Sequence, residues 1–245
     1  PFSCRDQVAN LFSIHLDKAC HNPSFYNFHV LFLIPKLIFF SPIRRGKNTG
    51  RNQKTAILDR IRRFHSRDFL PLWAEAVSNQ EKLTRSVRKS QTSVTSNSNA
   101  RRAEKFARLG QYSKAIQALD SYGVADDTDE TFNVLKSKHP QRPPPTLPQQ
   151  PCPEPPSLSS EVVVSAIRSF FTDTAPGPSG LKANFLKDCI VTPNANKRQR
   201  FLLSITRFVN LLNCGKSPED FRQYLFAANC HPLLKKDGGI RPVGV

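Results

Sequence analysis

Residues 227–245 read AANCHPLLKKDGGIRPVGV, and this stretch decides the C-terminal architecture. Two short β-prone runs flank Asp237-Gly238-Gly239, turn residues whose glycines take positive φ at no steric cost, so the stretch predicts a β-hairpin. Lys235 and Lys236 then fall at the end of the first strand and Arg241 near the start of the second. Three fixed cations crowd a tight turn in which Asp237 is the one acid, an arrangement suited to a polyphosphate or a nucleic-acid backbone. Pro242 has no N–H to donate, which makes the second strand an edge strand at that point.

Upstream of the hairpin the pattern is helical. Residues 197–213 form the clearest helix, with Phe201, Ile205, Phe208, Val209 and Leu212 on one face. Lys197, Arg198 and Arg200 sit at its start, where the helix dipole disfavours cations, and that misplacement favours a nucleic-acid-backbone role for them. Gly215 ends this helix, and Ser217-Pro218-Glu219-Asp220 opens the next. Residues 157–171 predict a helix capped by Ser159 or Ser160, with Glu161 in its first turn. The loop 172–180 follows, where Gly177 and Gly180 let backbone N–H groups approach a phosphate. A short helix over 181–190 turns Leu181, Phe185, Leu186 and Cys189 inward.

Residues 140–156, PQRPPPTLPQQPCPEPP, contain nine prolines and read as an extended spacer and a domain boundary. Before that boundary lie a basic, mostly helical region (1–85), a Ser/Thr/Asn-rich flexible connection (86–100) and a helical-hairpin region (101–139). In the last of these, Ala103, Phe106, Ala107 and Leu109 line one helix, and Tyr112, Ala115, Ile116 and Leu119 line the other. The apolar run 28–40, FHVLFLIPKLIFF, is too short and too interrupted to span a bilayer, and predicts a buried strand or a helix pair bent at Pro35. Residues 41–54 form a basic loop with five cations and no acid. Residues 55–78 read as helix, with Ile57, Ile61 and Phe64 inward and Arg60, Arg62, Arg63 and Arg67 as a basic group that is a second candidate nucleic-acid face. Asp126-Asp127 reads as the N-terminal cap of a helix over 131–138 rather than as a metal site.

The chain of 245 residues carries a net charge of +17, which favours an anionic partner through phosphate neutralisation and counterion release. The charge is uneven: +13 over residues 1–110, −2 over 111–160 and +6 over 161–245. The six cysteines show no C-x-x-C pair, so reduced thiols and an intracellular location are expected, with the nucleus as a candidate compartment. Cys4, His15, Cys20 and His21 match no closed zinc module by spacing. Acids after the proline segment are Glu161, Asp173, Asp188, Glu219, Asp220 and Asp237, and none sits in a strand as a paired carboxylate site. The chain has no Met and begins with Pro1, and it is read as an internal fragment.

The hairpin K-K-D-G-G-I-R-P-V-G-V resembles the fingers hairpin of reverse transcriptases of the non-LTR retrotransposon and group II intron type. A-P-G-P-S-G-L at 175–181 is similar to the G-P-D-G-L segment which those enzymes carry before it, with Ser179 where the family usually has an acid. The similarity covers about residues 158–245. It implies a mainly α fold with a small C-terminal β-hairpin (α+β): a truncated fingers subdomain over 157–245 whose catalytic aspartates would lie on later strands. By resemblance, Lys235 and Arg241, helped by Lys236, hold the triphosphate of a deoxynucleotide, while Gly177 and Gly180 lie near the template or primer backbone. The implied activity of the intact protein is RNA-templated DNA synthesis on an RNA template and a DNA primer, using Mg2+ whose ligands are not in this chain. No catalytic residue is assigned here, and the chain alone is expected to be inactive. A non-catalytic nucleic-acid-binding protein and a helical, proline-rich interaction adaptor are the alternatives. The sequence leaves oligomeric state open and gives no sign of a membrane segment.

Overall fold

The computed structural model describes residues 2–40, 49–91, 96–139, 153–171 and 174–244. Most of the expected basic loop 41–54, the centre of the 86–100 connection, most of the proline-rich segment and the start of the loop 172–180 lie outside these residues. The helices are α1 (Arg5–His21), α2 (Phe25–Ile38), α3 (Thr49–His65), α4 (Phe69–Gln91), α5 (Ser96–Arg108), α6 (Tyr112–Leu119), α7 (Asp129–Lys138), α8 (Ser160–Ser169), α9 (Ala183–Ile190), α10 (Ala195–Asn213) and α11 (Arg222–Leu225). Strands β1 (Cys230–Leu234) and β2 (Ile240–Gly244) pair as one antiparallel sheet, so the described chain is mainly α with a small C-terminal hairpin. The 86–100 connection differs from its reading, because α4 runs through 86–91 and α5 begins at Ser96.

The chain divides into two compact units: Pro1–Leu83 with Gln149–Ala227, and Thr84–Pro148 with Ala228–Val245. The linear order of domains read from the sequence therefore differs from the packing. The helices after the proline segment join the N-terminal helices, whereas the hairpin joins the segment before it.

The first unit is built round α1. Val8, Ala9, Leu11, Phe12, Ser13, His15, Leu16 and Ala19 are all buried. Their spacing covers more than one face, because α2, α3, α9 and α10 all pack against this helix. A helix covered on several sides shows no single apolar stripe, which explains why residues 1–27 lack a readable period. On α10, Phe201, Ile205 and Phe208 are buried as the spacing predicts, and Val209 and Leu212 pack partly against the same core. Phe28 packs on Phe208 and Phe221 with ring centroids 5.4 and 5.5 Å apart. Ser159 is the cap of α8, and Asn210 of α10 grips Leu158 through both its backbone groups, at 2.7 and 2.9 Å.

The run 28–40 is neither a strand nor a bent helix pair. It is a single helix, α2, whose N-terminus is closed by Ser24 accepting from the Asn27 N–H at 3.4 Å. Pro35 stands in its last turns, where few i−4 hydrogen bonds remain to be broken.

The helix expected over 55–78 is broken at residues 66–68. Arg67 N–H bonds Phe64 O at 3.1 Å and Asp68 N–H bonds Arg63 O at 3.0 Å, the paired closure of a Schellman motif. Its left-handed position is held by Arg67 at φ 60°, the one described non-glycine residue with positive φ. Arg67→Gly is expected to raise stability by about 1 kcal/mol, since it relieves the Cβ clash at little cost to the helix. The urea midpoint of the variant checks this, and a lowered midpoint contradicts it.

In the second unit, α5 and α6 meet through Ala103, Ala115 and Ala118, with Phe106 and Ala107 alongside. Tyr112, Ile116 and Leu119 were expected to face that helix and are instead exposed. Small alanines let the two helices approach closely, and this places the larger side chains of α6 outward. Thr128, not Asp126 or Asp127, caps α7, accepting from the Thr131 N–H at 3.2 Å. Asp129 and Glu130 occupy the favourable first turn.

Candidate phosphate-contact hairpin

Leu234 pairs with Ile240 across the hairpin, Leu233 with Arg241 and Pro232 with Pro242. Lys235 N–H bonds Gly239 O at 2.8 Å and Gly238 N–H bonds Lys235 O at 3.1 Å. This is a three-residue loop, Lys236-Asp237-Gly238, made of a tight turn followed by a residue in the left-handed region. Gly238 supplies that residue at φ 76°. Asp237 Oδ1 accepts from the Gly239 N–H at 3.0 Å, so the turn's single carboxylate is engaged in holding its own backbone.

Hydrogen-bonded and non-hydrogen-bonded pairs alternate along an antiparallel ladder. With Lys235 and Gly239 bonded, Pro232 and Pro242 fall on a non-bonded pair, where neither ring nitrogen is asked to donate across the hairpin. The outward groups of β1 are used instead by residues 123–125. Leu234 N–H bonds Gly123 O at 3.0 Å, and Ala125 N–H bonds Pro232 O at 2.8 Å. β2 is thus the edge strand expected from Pro242. Lys138 at the end of α7 donates its Nζ to Ile240 O, covering part of that edge.

Directly paired residues share a face of the sheet, as do residues two apart on one strand. Arg241 opposes Leu233, and Lys235 lies two residues beyond Leu233, so the two cations stand on the same face. The packing agrees: Lys235 Cδ lies 3.7 Å from where a Cβ on Gly239 would stand, and Gly239 shares the face of Arg241. Lys235, Lys236 and Arg241 are all exposed, and none forms an ion pair with a carboxylate among the described residues.

The other residues singled out by sequence lie in the first unit. Gly180 is at φ 76°, bonds Gly177 O through its N–H at 2.9 Å, and packs against α2, where a Cβ would come within 3.5 Å of Lys36 Cγ and 3.9 Å of Pro35 Cβ. Its glycine is explained by the turn and the packing. Gly177 has open space beside it. The loop and the hairpin belong to different compact units.

Of the cations at the start of α10, Arg200 has an intramolecular carboxylate and Arg198 a backbone carbonyl. α1 runs beside α10 in the same direction. Asp6 accepts from Thr192 Oγ1 at 2.5 Å and from the Asn194 N–H at 3.2 Å, while Asp17 meets Arg200 at 3.2 Å and Ser204 Oγ at 2.6 Å. The Thr192 hydroxyl holds the Asp6 carboxyl below the usual range, with the Asn194 N–H and the charge of Lys197 adding to it. Arg198 donates to Thr192 O at 2.9 Å. The dipole penalty expected from sequence is offset by carboxylates of the neighbouring helix, and of the three cations only Lys197 has a side chain with no hydrogen bond or ion pair among the described residues.

The arginines of α3 divide in the same way. Arg60 is buried and Arg63 is half-buried between Asp68 at 2.8 Å and Glu75 at 2.9 Å, which together raise its pKa. Arg62 is exposed and pairs with Asp59 at 2.6 Å. Arg60 and Arg63 are structural rather than free to meet a ligand.

Among the described residues no group of three His, Cys, Asp or Glu side chains could hold a metal ion. Likewise, no helix among them is long and apolar enough to cross a membrane. No protein-family model, characterised relative or solved structure matches this chain.

Proposed function

We propose that this chain is a nucleic-acid-contacting portion of a reverse-transcriptase-like polymerase, whose hairpin tip holds phosphates. The observation that carries the reading is the hairpin: Lys235 and Arg241 on one face, Lys236 beside them, and the one nearby carboxylate turned into the backbone. Guanidinium forks clamp phosphate oxygens in a bidentate way, and ammonium groups neutralise them as point charges. A net charge of +17 supplies the long-range attraction. The roles follow from these chemistries. Arg241 orients a triphosphate or backbone phosphate, and Lys235 and Lys236 neutralise it. Gly177 and Gly180 keep their assignment near the nucleic-acid backbone as part of the same proposal, as does Lys197. Arg198 and Arg200 keep theirs beside the partners they already hold, Thr192 O and Asp17.

The test uses the 245-residue chain and a labelled RNA–DNA primer–template, with anisotropy followed across a salt series. The affinity should fall steeply with salt. Lys235→Ala/Lys236→Ala/Arg241→Ala should lower the magnitude of the slope of log K against log salt by about 2.7, at roughly 0.9 per neutralised phosphate, and weaken binding at least tenfold. Binding that ignores salt, or a triple variant with the wild-type slope, rejects the proposal. The first outcome favours the adaptor reading instead.

A further inference from the structure

Two adjoining cavities open on the first unit, one of about 250 Å3 and one of about 600 Å3. Lys36 of α2 and Trp73 of α4 line both, and so does the 176–180 loop. The smaller is walled by Phe25, Phe32 and Tyr224, the larger by Phe39, Phe40 and Phe185, with Lys182 at its rim. Among the described residues neither has a carboxylate in its lining. Trp73 is 42% exposed and Tyr224 is 53% exposed, a large fraction for aromatic rings set in a helical core. Lys36 Nζ stands 5.9 Å from the centre of the Trp73 ring, so a cation and a stacking surface lie side by side.

Aromatic faces alternating with lysines in such a trough complement one class of ligand. Bases stack on the rings regardless of sequence, and phosphates meet the ammonium groups. A duplex hides its base faces and cannot enter a cavity of this size, whereas an unpaired strand can turn bases into it. We propose that this trough takes a single nucleic-acid strand, with a base stacked on Trp73 and flanking phosphates at Lys36 and Lys182. The inference rests on the nucleic-acid reading above, but uses none of the hairpin residues.

Trp73 is the only tryptophan in the chain, which makes its emission a direct reporter of this trough. A fluorescein-labelled single-stranded oligonucleotide and a duplex of the same length are titrated into the full chain, with anisotropy and tryptophan emission read together. The single strand should quench Trp73 with the same midpoint as the anisotropy rise, and the duplex should leave the emission unchanged. Trp73→Ala should weaken single-strand binding roughly tenfold, the stacking of one base, while Trp73→Phe keeps most of it. The hairpin variant Lys235→Ala/Arg241→Ala should reach the same quenching at saturating single strand, whatever its midpoint. Binding seen by anisotropy without quenching, or an unaffected Trp73→Ala, overturns the trough and leaves the hairpin reading standing. No salt-dependent binding of either oligonucleotide overturns both.

Discussion

Arg60→Ala is expected to destabilise the first unit by about 3 kcal/mol. The guanidinium is 3% exposed, and its Nη1 donates to Ile38 O at 3.3 Å and Phe40 O at 2.7 Å, the carbonyls left open where α2 ends. It also lies 3.3 Å over the Phe40 ring and reaches Glu75 at 3.5 Å. Burial pulls its pKa down and Glu75 pulls it back up, yet an arginine stays charged under all ordinary conditions. Glu75 is half-exposed, so its ion pair adds little and most of the effect lies in the two carbonyls and the ring. Hydrogen bonds from a charged donor contribute about 1.5–3 kcal/mol each, and orphaned buried acceptors lose their compensation outright. Alanine removes both bonds and leaves a void beside Phe40. Arg60→Lys should recover only part of the loss, because an ammonium has neither the planar face that stacks on Phe40 nor the second nitrogen that reaches Glu75. Urea unfolding followed by Trp73 emission reads this unit alone. A midpoint shift worth under 1 kcal/mol for the alanine variant would show that the carbonyls find other donors.

Arg60 also marks where sequence reasoning stops. An arginine on a helix with three others reads as part of a basic face, and nothing in the local pattern says that this one turns inward. Its partners, Ile38 and Phe40, lie on another element and become visible only when α2 and α3 are packed. The elements that were legible are those with one buried face. Ile57, Ile61 and Phe64 on α3, and Phe201, Ile205 and Phe208 on α10, are core residues as their spacing says. The hairpin was legible because Gly238 and Pro242 constrain the backbone locally, whatever surrounds them. α1 was not, because a helix enclosed on several sides loses its period. The break after α3 was missed because Arg67 takes a left-handed position in which glycine would have announced it. The carboxylates beside the start of α10 were invisible for the same reason as the partners of Arg60: Asp6, bonded to Thr192, and Asp17, bonded to Arg200, lie 186 and 183 residues away in sequence. For the candidate site, the turn and its three cations could be read directly, while the trough at Trp73 needed three distant segments to be brought together.

Lowering the pH from 7 to 4 is expected to cost the first unit about 3 kcal/mol through a single side chain, His15. The ring is 8% exposed and stands edge-on to Phe64, with centroids 5.3 Å apart and planes at 85°. Burial brings its pKa down from 6.5 to about 4, and the positive charges of Lys18 and His65 push the same way. Unfolded, the imidazole takes up its proton near pH 6.5, whereas in the folded chain it stays neutral until about pH 4. Between those values the unfolded state binds more protons, so stability rises with pH across the window and is lost as pH falls through it. At 1.36 kcal/mol per pH unit the full window amounts to about 3 kcal/mol. That is a shift of roughly 6–12 °C in Tm for a unit of this size. Asp6 and Glu161, whose carboxyls are held low by hydrogen bonds from Thr192 and Ser159, add their own losses as pH falls below their ordinary values of 3.8 and 4.5, so that Glu161 overlaps the foot of this window. His15→Leu should therefore flatten the profile between pH 6.5 and 4 while leaving the steeper fall beneath it. Thermal unfolding at half-unit pH steps separates the two regions. If wild type and His15→Leu lose stability in parallel between pH 6.5 and 4, the imidazole is not held neutral by its burial, and the packing of α1 against Phe64 must open enough to admit its proton.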